Sequence, residues 1–216
     1  MTPIMILGES GTGKTFSLRN LDPTQTLLIE PVTKPLPFKI KDTGWGDWDA
    51  EKKTGNIFRT DKSADICILM QNTKKRIIVI DDFQYILSNE LMRRYRESGY
   101  TKFSETGYNG WNIFQTASAV PDKHIYIMAH TMMGDDGITK IKTAGKLLES
   151  YSMEGLCSMV LRTYAKDGKY YFSTKNDGSD TVKSPPGMFD GMYVGDSDLI
   201  ENDLKAVDDA VTAFGW

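Results

Sequence analysis

Little in this sequence points toward a membrane, a metal cluster or a bulk polyanion. Only two cysteines occur, Cys67 and Cys157; they lie far apart and outside any C-x-x-C spacing. That argues against a zinc site or a redox pair and leaves both as expected buried thiols in a reducing compartment. No apolar run approaches the roughly 20 residues of a membrane-spanning helix, and the N-terminus lacks a basic stretch followed by an apolar core. The chain is therefore expected in the cytoplasm, with no membrane partner. A basic excess is also missing, because 26 Lys and Arg stand against 29 Asp and Glu, a formal net charge of -3. Bulk charge cannot hold nucleic acid here, so any such site must be a local patch. Low-complexity tracts and internal repeats are absent.

What is present suits one buried core of 216 residues, mixing strands and helices. Pro3 to Leu7 is a short apolar strand ended by Gly8, and Lys14 to Leu21 reads as a helix stopped before Pro23. The first strand is expected to open the fold, with no accessory domain before it. Thr26 to Ile29 is a second buried strand; the proline- and glycine-containing stretch after Glu30 reads as a long loop with a small ribbon near Asn56 to Thr60. Ser63 to Asn72 suits a helix. Ile77-Ile78-Val79-Ile80 is a continuous β-branched run of the kind buried on both faces of a parallel sheet. Phe83 to Arg96 reads as a helix, Glu97 to Gly110 as a loop, and Trp111 to Val120 as a helix ended by Pro121. His124 to Ala129 is a fourth strand, with His124 itself read as surface, and Asp135 to Gly145 is a polar loop. Cys157 to Tyr164 and Lys169 to Ser173 are late strands turned at Lys166-Asp167-Gly168, and Leu199 to Phe214 reads as an amphipathic helix. This alternation predicts a mostly parallel sheet between helices, because parallel neighbours need a crossover. Residues 1–195 form the expected core and residues 196–216 a C-terminal helical tail.

One segment carries most of the chemistry. Gly8-Glu9-Ser10-Gly11-Thr12-Gly13-Lys14-Thr15, running into Phe16, matches G-x-x-x-x-G-K-[ST] after a strand and at the start of a helix. Glycines let the backbone wrap a phosphate so that successive N–H groups face anionic oxygens. Lys14 would reach the β- and γ-phosphates of ATP, and Thr15 would ligate Mg²⁺. The β-branched strand ends at Asp81-Asp82, where Asp81 is the second expected metal-side ligand. An Asp at a strand-to-helix junction also caps helices, which Asp82 suits better. Hydrolysis needs a water-orienting group. Glu30, at the tip of the second strand and expected beside the glycine loop, is the first candidate and Asp82 the second. His130, at the end of the fourth strand, is placed to sense the γ-phosphate.

On Gly8 to Thr15, Glu30, Ile77 to Asp82 and His130, the chain resembles the RecA-type core of P-loop ATPases. In particular it resembles small phage-encoded RecA-like proteins that serve as single-strand annealing or recombination factors. The resemblance implies a three-layer α/β P-loop NTPase fold, with a RecA-like, mostly parallel central sheet and an antiparallel edge. It implies an ATPase using ATP and Mg²⁺, with Glu30 as the catalytic glutamate, and His130 leading into a DNA loop at Thr131 to Gly145 bearing Lys140, Lys142 and Lys146. Lys183, with Lys175 second, is the basic residue that would reach a neighbour's nucleotide in a homo-oligomer. Single-stranded DNA and phage or host replication and recombination proteins are the implied partners. The family's Asp-x-Glu pattern is Leu28-Ile29-Glu30 here, and Asp135 and Asp136 put negative charge into the expected DNA loop. A second expected DNA surface is Arg93-Arg94-Tyr95-Arg96 with Tyr100, Lys102, Phe103 and Tyr108, where cations and aromatics interleave. The competing readings are a P-loop ATPase acting through protein partners, as a helicase loader or packaging motor, and a nucleotide kinase. The kinase is disfavoured by the lack of an arginine-rich lid.

Overall fold

The computed structural model describes residues 2–144, 146–149 and 151–216, with Lys146 and Glu149 as backbone only. The strands are β1 (Ile4–Leu7), β2 (Thr26–Glu30), β3 (Ile57–Arg59), β4 (Ile77–Ile80), β5 (His124–Ala129), β6 (Thr131–Met133), β7 (Thr139–Ile141), β8 (Met159–Lys166), β9 (Lys169–Ser173) and β10 (Leu199–Glu201). The α-helices are α1 (Ser63–Asn72), α2 (Phe83–Arg93), α3 (Thr101–Ala119), α4 (Lys146–Glu149) and α5 (Leu204–Ala213).

Eight strands form one mixed sheet in the order β10-β9-β8-β1-β5-β4-β2-β3, and β6 and β7 form a separate antiparallel ribbon. From β8 to β3 every pairing is parallel, whereas β9 and β10 add an antiparallel edge. The chain is thus α/β. Alternation along the strands sorts side chains into two cores. Met5, Leu7, Ile78, Ile80, Ile125 and Ile127 pack with Ile66, Phe83 and Ile113 from α1, α2 and α3. Ile4, Ile6, Val79, Tyr126 and Met128 pack on the opposite face with Leu18 and with Leu204, Val207 and Val211 of α5. Both faces of β1, β4 and β5 are buried, which explains their unbroken apolar runs.

Several elements differ from the sequence reading. The helix expected over Lys14 to Leu21 is a six-residue 3₁₀ helix, Thr15–Asn20. Ser17 donates its hydroxyl to the Lys14 carbonyl at 2.6 Å, a local bond that competes with helix propagation, and Pro23 blocks extension. The expected loop from Glu97 to Gly110 belongs largely to α3, because Gly107 and Gly110 are packing positions. A Cβ on Gly107 would lie 2.7 Å from Leu147, and one on Gly110 2.7 Å from Leu87. The ribbon expected near Asn56 is the edge strand β3, parallel to β2. Leu199–Glu201 is strand rather than helix, and α5 starts only after Asp203, whose side chain accepts the Lys205 N–H. Segment 196–216 therefore supplies an edge strand and the buried residues Leu204, Val207 and Val211 of a core.

His124, expected at the surface, is 7% exposed. Its Nδ1 lies 2.6 Å from Asp208 Oδ1, the Tyr126 hydroxyl donates to the same oxygen at 2.9 Å, and Arg76 pairs with Asp208 Oδ2. Burial alone would raise the Asp208 carboxyl, but His124 and Arg76 hold it below the ordinary carboxylate range. Cys67 and Cys157 are both free and buried, and burial pushes the Cys157 thiol up to about 12. Among the described residues no helix is long and apolar enough to cross a membrane.

Candidate nucleotide-binding cleft

The carboxyl ends of β1, β5 and β4 open onto one cleft of about 240 Å³, lined by Ser10, Gly11, Gly13, Lys14, Thr15, Phe16, Lys34, Pro35, Pro37, Asp82, His130 and Tyr170. Neighbouring strands lie about 4.8 Å apart, so β5 holds the axes of β1 and β4 about 10 Å apart. Side chains from either flank meet across the end of β5.

From the β1 side comes the glycine loop. Gly8 must lack a side chain, since a Cβ would stand 1.8 Å from Thr163 Oγ1 on β8. Gly13 adopts φ 98° beneath the Tyr170 ring, a conformation that other residues resist. Gly13 and Lys14 are buried, yet among the described residues their backbone N–H groups have no hydrogen-bond partner. Both residues line the cleft, where open backbone donors offer a place for an anionic acceptor. The Lys14 ammonium folds over the loop and donates to the Gly8 and Glu9 carbonyls at 2.7 and 2.9 Å. Burial lowers its pKa, with Asp81 and Asp82 opposing that shift.

From the β4 side come Asp81 and Asp82. The Thr15 hydroxyl donates to Asp81 Oδ2 at 2.6 Å, joining positions 66 apart in sequence. Burial and then Asp82 push the Asp81 carboxyl up, a shift that an arriving cation would reverse. Asp82 takes the left-handed conformation at φ 51° and ψ 45°, and its side chain makes no capping bond to α2. It turns into the cleft instead, pairing with Lys34 and lying 3.4 Å from His130 Nε2. Burial raises the Asp82 carboxyl, but the bonds from His130 and Lys34 outweigh it and leave the group well below the ordinary range. His130 also donates its backbone N–H to Gln84 Oε1 at 3.1 Å and packs edge-on to Tyr85.

Glu30 is placed differently from expectation. The sheet order sets β2 three strands from β1, about 14 Å away at the usual strand spacing. Glu30 is 1% exposed and pairs with Arg59 directly across on β3, although neither carboxylate oxygen accepts a well-aligned hydrogen bond among the described residues. It does not line the cleft. Lys183 is exposed and pairs by backbone with Val160, both bonds at 2.9 Å. Val160 stands opposite Met5 on β1, back from the cleft edge. Lys175 pairs with Asp198 at 2.5 Å.

Compared with known proteins, the chain matches no family model and no curated protein.

The loop expected over Thr131 to Gly145 contains the β6–β7 ribbon, turned through Gly134 to Ile138. The Thr131 hydroxyl bonds the Glu9 carboxylate, which ties the ribbon to the glycine loop. Gly145 and the side chain of Lys146 lie outside the described residues. On the second expected DNA surface the cations are largely engaged within the chain. Arg93 pairs with Asp61, Arg94 with Glu90, Glu97 and Glu105, and Lys102 donates to the carbonyls of Arg94, Tyr95 and Glu97. Tyr95, Tyr100 and Tyr108 remain 66, 87 and 65% exposed.

Two cleft residues escaped the sequence reading. Lys34 sits in a segment with no motif, which Pro35 and Pro37 marked only as part of a long loop. Tyr170, on β9, reaches the glycine loop through the antiparallel edge and packs 5.5 Å from the Phe16 ring. Together with Arg19 and Asn202 these rings also line an adjoining groove of about 280 Å³. Among the described residues the buried Asn202 amide has no partner there.

Among the described residues no group of three or more His, Cys, Asp or Glu is arranged to hold a metal. Thr15 and Asp81 do offer two adjoining oxygens, and Mg²⁺ is commonly held by one or two protein oxygens, with phosphates and water supplying the rest.

Proposed function

We propose that this chain binds ATP with Mg²⁺ in the cleft and hydrolyses it, as a P-loop ATPase of RecA-like fold. The supporting observation is the 2.6 Å bond from Thr15 to Asp81, which brings the glycine loop and the second acidic motif to one point beside Lys14 and open N–H donors. Gly11 to Thr15 are the residues that would hold the phosphate chain, and Phe16 and Tyr170 line the cleft where the base would be held. Thr15 and Asp81 are the residues to hold magnesium, which would supply charge neutralisation on the β- and γ-phosphate oxygens. Lys14 retains one donor beyond its two carbonyl bonds for a phosphate oxygen.

Asp82 is the proposed water-orienting residue, in preference to Glu30, because it faces the cleft while Glu30 faces Arg59. A water held by Asp82 bonds to the γ-phosphorus as the bond to the β-phosphate oxygen breaks, giving ADP and inorganic phosphate. Asp82, held ionised, orients the water by accepting its hydrogen bond, and the water proton leaves with the phosphate product and solvent. His130 and the Glu9–Thr131 contact connect this step to the β6–β7 ribbon.

Single-stranded DNA is the proposed effector, on the resemblance to phage recombination proteins and on the exposed tyrosines near Arg96. With Arg93, Arg94 and Lys102 already engaged, stacking would carry more of that contact than charge, so its salt dependence should be weak. The test is phosphate release from ATP with and without single-stranded DNA, with Lys14→Ala as control. No release by the wild-type protein sinks the hydrolase reading. Release that DNA leaves unaltered, at unaltered oligomer size, sinks only the DNA part and favours a protein partner.

A further inference from the structure

The loop between β2 and β3 delivers an ammonium group to the acidic side of the cleft. Lys34 Nζ contacts Asp82 Oδ2 and lies 3.9 Å from Asp81 Oδ2, the same oxygen that accepts the Thr15 hydroxyl. Lys34 thus stands where a cation is called for between two carboxylates. Its presentation is built into the fold. Pro35 and Pro37 follow it along the cleft wall and restrict the backbone there. From behind, Arg59 donates to the Lys34 carbonyl at 3.4 Å while pairing with the buried Glu30. Glu30 thereby becomes a positioning residue, acting on the cleft through Arg59 and the backbone of Lys34. The Lys34 side chain is 37% exposed, so its ammonium is free to exchange one anionic partner for another.

Taking the cleft as a nucleoside triphosphate site, we propose that Lys34 is the chain's own γ-phosphate cation. With the cleft empty it engages Asp82. When a triphosphate binds, the terminal phosphate draws the ammonium away, and Asp82 is released to hold water. A diphosphate lacks that group and leaves Lys34 on Asp82. Discrimination between ATP and ADP therefore resides in Lys34, and a neighbouring subunit's lysine is not required to complete the site.

The experiment is equilibrium binding of ADP and of a non-hydrolysable ATP analogue, each with Mg²⁺, to the wild-type protein, Lys34→Ala, Lys34→Arg and Asp82→Asn, with a thermal melt of each. Lys34→Ala should weaken the triphosphate about tenfold or more and the diphosphate less than about twofold, as expected for loss of one charge-assisted contact. Lys34→Arg should recover most of that loss. Asp82→Asn, which removes the competing partner, should tighten the triphosphate relative to the diphosphate, and it keeps the idea testable if Lys34→Ala folds poorly. Equal weakening of both nucleotides by Lys34→Ala, or an unchanged ratio in all variants, overturns the assignment and leaves Lys34 a neutralising ion pair. A wild-type protein that binds neither nucleotide overturns the nucleotide reading itself, and the role of Lys34 with it.

Discussion

Strand β5 carries a histidine–aspartate pair at each end, and the two pairs have opposite fates. At its start, His124 meets Asp208, joined by Tyr126 and Arg76. Just past its end, His130 meets Asp82, joined by Lys34 and Gln84. The chemical inventory is nearly the same: one carboxylate, one imidazole, one cation and one polar group. The difference is closure. α5 covers the first cluster, and its groups satisfy one another at short range. The second rests on the start of α2 but lines the open cleft, its His–Asp contact is longer, and it borders a loop whose Gly13 and Lys14 N–H groups have no partner among the described residues. A closed cluster of this kind contributes stability, whereas an open one retains bonding capacity for a ligand.

The largest expected effect tests the closed end. Asp208→Ala leaves Arg76, His124 and Tyr126 without their common acceptor and should cost about 3 kcal/mol in a urea melt, as when one partner of a buried ion pair is removed. Nucleotide affinity of the folded fraction should not change. A loss of binding that tracks this mutation would break the division between the two ends.

Next in size, Lys14→Ala should weaken nucleotide binding about a hundredfold, or about 2.8 kcal/mol, at 1.4 kcal/mol for each factor of ten. Its melting midpoint should fall by far less than that of Asp208→Ala, because Lys14 is itself bonded only to loop carbonyls. Calorimetric titration and a thermal scan on the same sample settle both points.

Asp82→Asn should slow turnover about a hundredfold, the low end of what a positioned catalytic side chain contributes. Glu30→Gln should slow it less and act through the placement of the Lys34 loop. Single-turnover assays at saturating ATP compare them, and the reverse order would return the water-orienting role to Glu30.

The smallest effect is in pH. The native Asp208 carboxyl is held below its ordinary value, so it takes up its proton less readily in the folded chain than in the unfolded one. Its stabilisation is fully present above the unfolded carboxyl pKa of about 3.9 and is lost as pH falls through the lower folded value. Stability of the wild-type protein should therefore fall more steeply below pH 4 than that of Asp208→Asn, as read from denaturant midpoints at each pH.

Much of the molecule was legible before folding. β1, β4, β5 and α1 follow from runs and periodicities that local physics enforces. So does the turn at Asp167 and Gly168, where both residues take positive φ. The glycine loop was legible because its spacing is local. Asp81 was legible because a β-branched run must end at a sheet edge. What could not be read were facts of sheet order and packing: that β2 lies three strands from β1, that Gly107 and Gly110 admit Leu147 and Leu87, and that β9 brings Tyr170 over Gly13. His124 illustrates the limit, since nothing near it in sequence announces a partner 84 positions away.

By itself, then, the sequence determined the glycine-loop motif, the alternation of strands and helices, and the identity of the acidic pair at the end of β4. These depend on neighbours a few residues apart. Tertiary structure alone decided which groups share the cleft. It turned Asp82 away from capping and toward His130, tied Glu30 to Arg59, and brought Lys34 out of a motif-free loop to face both aspartates. Such assignments depend on distances across the sheet, which no local pattern encodes.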